Sequence, residues 1–269
     1  MKGARRTGYL VVVTGIATIA SVIVMSTMAG PEVAPHTKPN SGGFSSTMLW
    51  FELALTPREI FENLGPTNSE EGRARRLQLD ITNKYDFAFM VCYSMYNASL
   101  VYLVTHLNVY RLRSLLKLRV FLALGILLSI AMLVGDIVEN VQLLELTRVA
   151  NADDIQESTM SSLIYWTRVK WGAIFAVCIM LSAGYASYFR RIPTLLIPAA
   201  YALAGVSGMI AISIPEARVV MEYISIHAIT FAWAASLLHA ILISVKGPAG
   251  FPLPDNVHVR NAETAEAEG

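Results

Sequence analysis

The segment GDIVENVQLLEL places Asp136, Glu139 and Asn140 at spacings of three and four, which brings all three onto one face of a helix. The segment closes an otherwise apolar run. An ionisable residue in hydrocarbon costs at least ~2.5 kcal/mol, so this face must look into a helical bundle or toward water. The next apolar run opens LIYWTRVKWG and carries Lys170. At about 1.5 Å per residue, Asp136 lies roughly 12 Å inward from a boundary near Leu144, and Lys170 roughly 10 Å inward from Leu163. Antiparallel neighbours then hold acid and lysine at the same depth, and an Asp136–Lys170 or Glu139–Lys170 pair is expected. On the preceding run Asp86 sits at the outer mouth, with Tyr93 below it and Tyr96 and Asn97 next. Asp86, Tyr93, Asp136, Glu139, Asn140 and Lys170 are therefore the candidate lining of a polar pocket open to the outside, between three successive helices.

Three kinds of chemistry fit such residues. The charges can neutralise one another and fix which helices pack; they can bind a ligand or handle protons; or a carboxyl group can act as acid or base with Lys170 setting its charge. No nucleophile with an orienting base is evident in the sequence. His227 and His239 lie twelve residues apart, more than three helical turns, too far for one metal to bridge. No metal and no cofactor is expected. His227 reads as an interhelical hydrogen-bonding group, His239 as meeting the interface, and His106 as lying at the cytoplasmic end of its span. Cys92 and Cys178 fall in apolar segments without a CxxC partner and read as buried, inert thiols. The sequon Asn97-Ala-Ser99 sits inside a span, out of reach of glycosylation.

The elements that hold these residues follow from composition. Of 269 residues 54% are hydrophobic and 15% charged, against roughly 25% charged in an ordinary soluble domain. The apolar runs reach bilayer length, about 20 residues. Six are expected, near residues 9–28, 85–106, 120–143, 163–189, 195–214 and 219–245, giving an all-α polytopic transmembrane bundle, a four-helix core plus two additional helices. The first run follows Lys2, Arg5 and Arg6. At about 20 residues it exceeds the 7 to 15 of a signal peptide and reads as a signal anchor, although Ala29 and Gly30 leave a cleavage site open.

Four regions result: an N-terminal anchor over 1–29, an extracytoplasmic segment over 30–83, a five-helix membrane region over 84–245 and a disordered tail over 246–269. In the second, Pro31 to Ser46 reads as a linker. Thr56-Pro57 with Glu59 predicts a short helix through about Asn63, closed by Gly65-Pro66. Leu49, Trp50, Phe51, Leu53 and Leu55 read as an interfacial anchor, and residues 70–84 as a polar helix entering the next span. Gly205, Ser207 and Gly208 offer a small-residue face for close packing. Tyr85, Tyr165, Trp166 and Trp171 read as interfacial anchors first and ligand contacts second. Glu222 is expected to face the outer vestibule or to reach back to water.

Charge orients the bundle. Lys2, Arg5 and Arg6, then Arg111, Arg113, Lys117 and Arg119, then Arg190 and Arg191, then Lys246 all fall on one side of a six-span chain. That side is cytoplasmic by the positive-inside rule, so both termini are expected inside, in a plasma or inner membrane. Arg73, Arg75 and Arg76 are the exception, balanced in the sequence by Glu70, Glu71 and Asp80. A net charge of +1 gives no footprint for nucleic acid. Membrane lipid is the expected partner, and the sequence points to no protein partner.

The ordered segments FELALTPREIFENLG, EEGRARRLQLDITNKYDFAFMVCYSMY and GDIVENVQLLEL, followed by Lys170, resemble a family of uncharacterised multi-spanning membrane proteins over residues 49–185. The resemblance implies a four-helix core and no reaction. A binding or organising membrane protein with a polar pocket in the outer leaflet is the leading expectation. An intramembrane enzyme acting on lipid comes second and a small-molecule transporter third; for transport, ionisable residues would have to continue through the midplane.

Overall fold

Apolar stretches of bilayer length must satisfy every backbone N–H and C=O internally, and a helix does so within one segment. The structure, a computed structural model, describes residues 2–36, 42–109, 115–188 and 195–247. Its α-helices are α1 (Lys2–Ala29), α2 (Thr47–Glu52), α3 (Pro57–Leu64), α4 (Glu70–Asn108), α5 (Leu115–Leu146), α6 (Glu157–Tyr188), α7 (Leu196–Ser213) and α8 (Ile226–Lys246). Among the described residues there is no strand. Six of the helices, α1 and α4 to α8, are long and apolar enough to cross a membrane. The chain is an all-α, multi-pass integral membrane protein. Arg111, Arg113, Arg190, Arg191 and the tail after Gly247 lie outside the described residues, as does part of the linker expected before Ser46.

The six long helices form a closed ring in chain order. Each packs on the next, α8 returns to α1, and α4 touches α6 across the middle. Small residues set the closest approaches. A Cβ at Gly135 of α5 would meet the Lys170 backbone nitrogen of α6 at 2.8 Å, and one at Gly208 of α7 would overlap the Phe175 ring. Polar side chains inside the spans bond back to their own helix, as Thr14 does to Leu10 O (2.9 Å) and Ser129 to Gly125 O (2.8 Å). At one end Arg5 Nε donates to Ser244 O (2.7 Å), tying the start of α1 to the last turn of α8.

At the other end residues 30–36 and 42–69 fold over the bundle. Gly30 leaves α1 at φ 71°, a conformation that glycine adopts without a Cβ clash. Ser46 caps α2 at Leu49 N, and Thr56 caps α3 at Glu59 N (3.2 Å), with Pro57 in its first turn and Gly65 (φ 73°) at its end. Glu32 accepts Thr47 N (2.5 Å), and Asn63 donates to Thr47 O (2.8 Å). Glu222, in a π turn ahead of α8, accepts from Ser45 N (3.0 Å), Ser46 N (3.0 Å) and the Ser45 hydroxyl. It is buried as the tether of this segment, and the expectation that it faces a vestibule or water is corrected.

The segment Leu49 to Leu55 is not an interfacial anchor. Trp50 and Phe51 are fully buried, because α2 inserts into the mouth of the ring. Arg75 and Arg76 do more than offset neighbouring acids, of which Glu71 acts on Arg75. Both are buried, and each guanidinium donates to backbone carbonyls left open at helix and loop ends: Arg75 to Ala34 and Leu64, Arg76 to Gly65, Thr147 and Val149. The polar stretch 70–84 continues into the membrane as one 39-residue helix, α4.

Arg218, in the link between α7 and α8, grips Glu59 of α3 through two N–H···O bonds of 2.9 and 2.8 Å and donates to Leu53 O (2.6 Å). Burial alone would raise the Glu59 carboxyl. The bonds from Arg218 and Leu55 N–H, with the Arg218 charge, outweigh burial and hold it below its ordinary value. A group depressed on folding contributes stability above its unfolded value, here 4.5, and loses that contribution as pH falls through the lower folded value. Protection of residues 30–69 from protease is expected to fall on acidification below about 4.5. Glu59→Gln should lower protection at pH 7 and flatten that part of the profile; an unchanged profile would exclude the contact as its source.

Candidate functional site

Lys170 projects from α6 where Gly135 lets α5 come closest. Its ammonium meets three carboxylates: Glu52 Oε2 at 2.8 Å, Asp136 Oδ1 at 3.2 Å, and Glu139 Oε2. It donates a hydrogen bond to Glu52 and is ion-paired with all three acids. Each acid has a further donor. Tyr93 O–H donates to Asp136 Oδ2 (2.5 Å), Thr167 O–H to Glu139 Oε1 (2.6 Å), and Trp171 Nε1–H to Glu52 Oε2 (3.3 Å). The Lys170 ammonium also lies 5.0 Å from the Trp171 ring centroid. Asp86 stands apart from the ion pairs and receives one hydrogen bond, from Asn140 Nδ2 (2.8 Å).

A cavity of about 240 Å³ opens beside this cluster, under α2 and inside the ring. Asp86, Tyr93, Asp136 and Lys170 line it. Glu139 and Asn140 do not: Glu139 is fully buried with Lys170 and Thr167, and Asn140 supports Asp86 from behind. The walls come from more of the ring than the three expected spans. Met25 of α1, Met48 and Leu49 of α2, and Ile229 and Trp233 of α8 contribute, with Phe89 of α4 and Trp171 and Ile174 of α6. Most of the lining is apolar or aromatic, and the polar groups converge at one side.

Glu52 is the site residue that sequence reasoning missed. Its signal was a single acid in the apolar stretch LWFELAL, which an interfacial anchor does not need. Trp171 and Trp233 carried less signal, since tryptophan near a span end is ordinarily an interface residue. The histidines sit elsewhere. His227 bonds within its own turn to Glu222 O (3.0 Å), so no interhelical bond is made. His239 is buried, its ring 5.7 Å from that of Tyr185, and does not meet the interface. Among the described residues no group of three His, Cys, Asp or Glu is arranged to hold a metal ion. Cys178 is buried and Cys92 half-buried, both as free thiols.

No family model, no curated protein and no solved structure matches the chain.

Breaking a buried ion pair by removing one partner typically costs about 3–5 kcal/mol, because the other charge stays buried. Lys170→Met is expected to lose stability in that range, read as thermal unfolding in detergent. Since three carboxylates share the ammonium, adding Asp136→Asn should recover little; Asp136 keeps Tyr93 as a donor. Adding Glu139→Gln should recover more, as Glu139 has only Lys170 and Thr167. The reverse order would exclude Glu139 as the more dependent partner.

Proposed function

We propose that this protein binds the polar end of a small amphiphile, a lipid headgroup or its analogue, in the cavity under α2. The supporting observation is the meeting of an apolar, aromatic-walled space of about 240 Å³ with buried acids and a lysine at one side. Pockets of that composition hold a ligand's hydrophobic part by area and orient it by a few polar contacts. The segments that resemble uncharacterised membrane proteins are those that build the site. FELALTPREI contributes Glu52, the stretch from Asp86 to Tyr93 contributes both of those residues, and GDIVEN contributes Asp136, Glu139 and Asn140.

An enzyme acting on lipid draws less support. The aliphatic hydroxyl beside a base, Thr167 on Glu139, lies off the cavity; the hydroxyl beside a base inside it, Tyr93 on Asp136, is a phenol, a weaker nucleophile suited to holding a ligand. Transport draws less still. Below the carboxylates the polar groups at the centre of the ring are neutral, such as Tyr201 on Ser236 (3.1 Å).

In this reading the acidic cluster belongs to the extracytoplasmic leaflet, both termini are cytoplasmic, and residues 30–83 cover the outer mouth. Basic residues at the ends joined by Arg5 and Ser244 favour that orientation. Single-cysteine labelling with an impermeant thiol reagent, on a chain with its native cysteines replaced, should mark residue 68 from outside and residue 4 only after permeabilisation. Native mass spectrometry should find lipid-sized adducts that Trp233→Ala diminishes. Adduct-free spectra under gentle ionisation, from protein purified in mild detergent, would count against a binding function.

A further inference from the structure

The charged groups lining the cavity are unevenly divided, three acids (Glu52, Asp86 and Asp136) to one base. The Lys170 ammonium, the one cation in the lining, donates a hydrogen bond to Glu52 and is ion-paired with Asp136 and Glu139. Tyr93 gives its proton to Asp136, Trp171 its N–H to Glu52, and Thr82 its hydroxyl proton to Gln78 O (2.9 Å). The Trp233 indole N–H, buried without a hydrogen-bond partner, is a neutral donor left in the lining; the charged capacity that remains is acceptor. Asp86 is half-buried in the lining and holds a single donor, so most of its lone pairs are open.

Charge runs the same way. Glu52, Asp86, Asp136 and Glu139 are four carboxyl groups around one ammonium. Like charges a few Å apart in a poorly polarisable site repel strongly, so the deficit must be met by protons or by a cation. The walls favour the cation. Tyr93 lies 5.0 Å from Phe89 and 6.0 Å from Trp233 between ring centroids, and aromatic faces attract ammonium groups.

We infer that the cavity recognises a protonated amine, with Asp86 as its counter-charge, and excludes phosphate and other anions. This rests on the binding function proposed above and deepens it. The amine can be carried by a lipid headgroup or by a free small amine; the recognition chemistry is the same. An anion would meet three carboxyl groups in the lining and a lysine already ion-paired with acids.

The test uses the full chain in neutral maltoside detergent and follows tryptophan fluorescence, since Trp171 and Trp233 line the cavity. Dodecylammonium, dodecyl phosphate and butylammonium are the probes. Dodecylammonium should give a saturable change at a concentration at least tenfold below any response to dodecyl phosphate, and Asp86→Asn should weaken it at least tenfold. Competition by butylammonium at similar concentration would assign the site to a free amine; competition by dodecylammonium alone would assign it to a lipid, and either outcome supports amine recognition. If Asp86→Asn fails to fold by gel filtration, the preference of the unmodified chain decides. Equal or tighter binding of dodecyl phosphate would overturn the amine and leave the pocket standing. A response to neither probe would overturn the pocket as well.

Discussion

A charge withdrawn from water must find its counter-charges inside the protein, and Lys170 is where this fold meets that requirement. Its ammonium is 5% exposed and draws carboxylates from two other elements. Asp136 and Glu139 come from α5, which Gly135 allows to lie against the Lys170 backbone. Glu52 comes from α2, which has to enter the mouth of the ring to reach it. An isolated ionised group in such surroundings costs several kcal/mol, so helix approach, insertion of α2 and the shape of the cavity are coupled. The cavity lies where the cluster stops and the aromatic walls begin.

The outer segment is held by a second device of the same physical kind. Helix ends expose carbonyls without intrahelical partners, and near the hydrocarbon water is a scarce donor. Arg75, Arg76 and Gln78, within about one turn near the start of α4, supply donors to those carbonyls. Gln78 reaches Pro31 O beyond the end of α1, and Arg76 reaches Thr147 and Val149 beyond the end of α5. This gives the polar first turns of the 39-residue α4 a structural role, which is to hold the ends of neighbouring segments. These side chains act as caps on neighbouring chain ends, and Glu71 adds a favourable charge beside Arg75.

Much of the candidate site was legible in the sequence, because intramembrane charges are rare and their depth follows from residue count. The levels of Asp136 and Lys170 came out matched for that reason. Glu52 did not, since nothing in LWFELAL distinguishes a helix lying on the bilayer surface from one tucked into a bundle; both are apolar, short and flanked by polar residues. The carbonyl partners of Arg75 and Arg76 were not legible because sequence distance is a poor guide once a chain folds back across other helices. His239 was misplaced because a polar side chain near a span end has two low-energy environments, the interface and a neighbour's ring.

What the sequence alone determined is the membrane character, the six long helices and the requirement that Asp136, Glu139 and Lys170 face inward, because each follows from local hydrophobicity, helical period and the cost of charge in hydrocarbon. What only the tertiary structure decided is the closure of the ring by α1 and α8, the descent of α2 and the division of one ammonium among three carboxylates. Those depend on which surfaces approach closely, and close approach is a property of packed pairs that no single segment encodes.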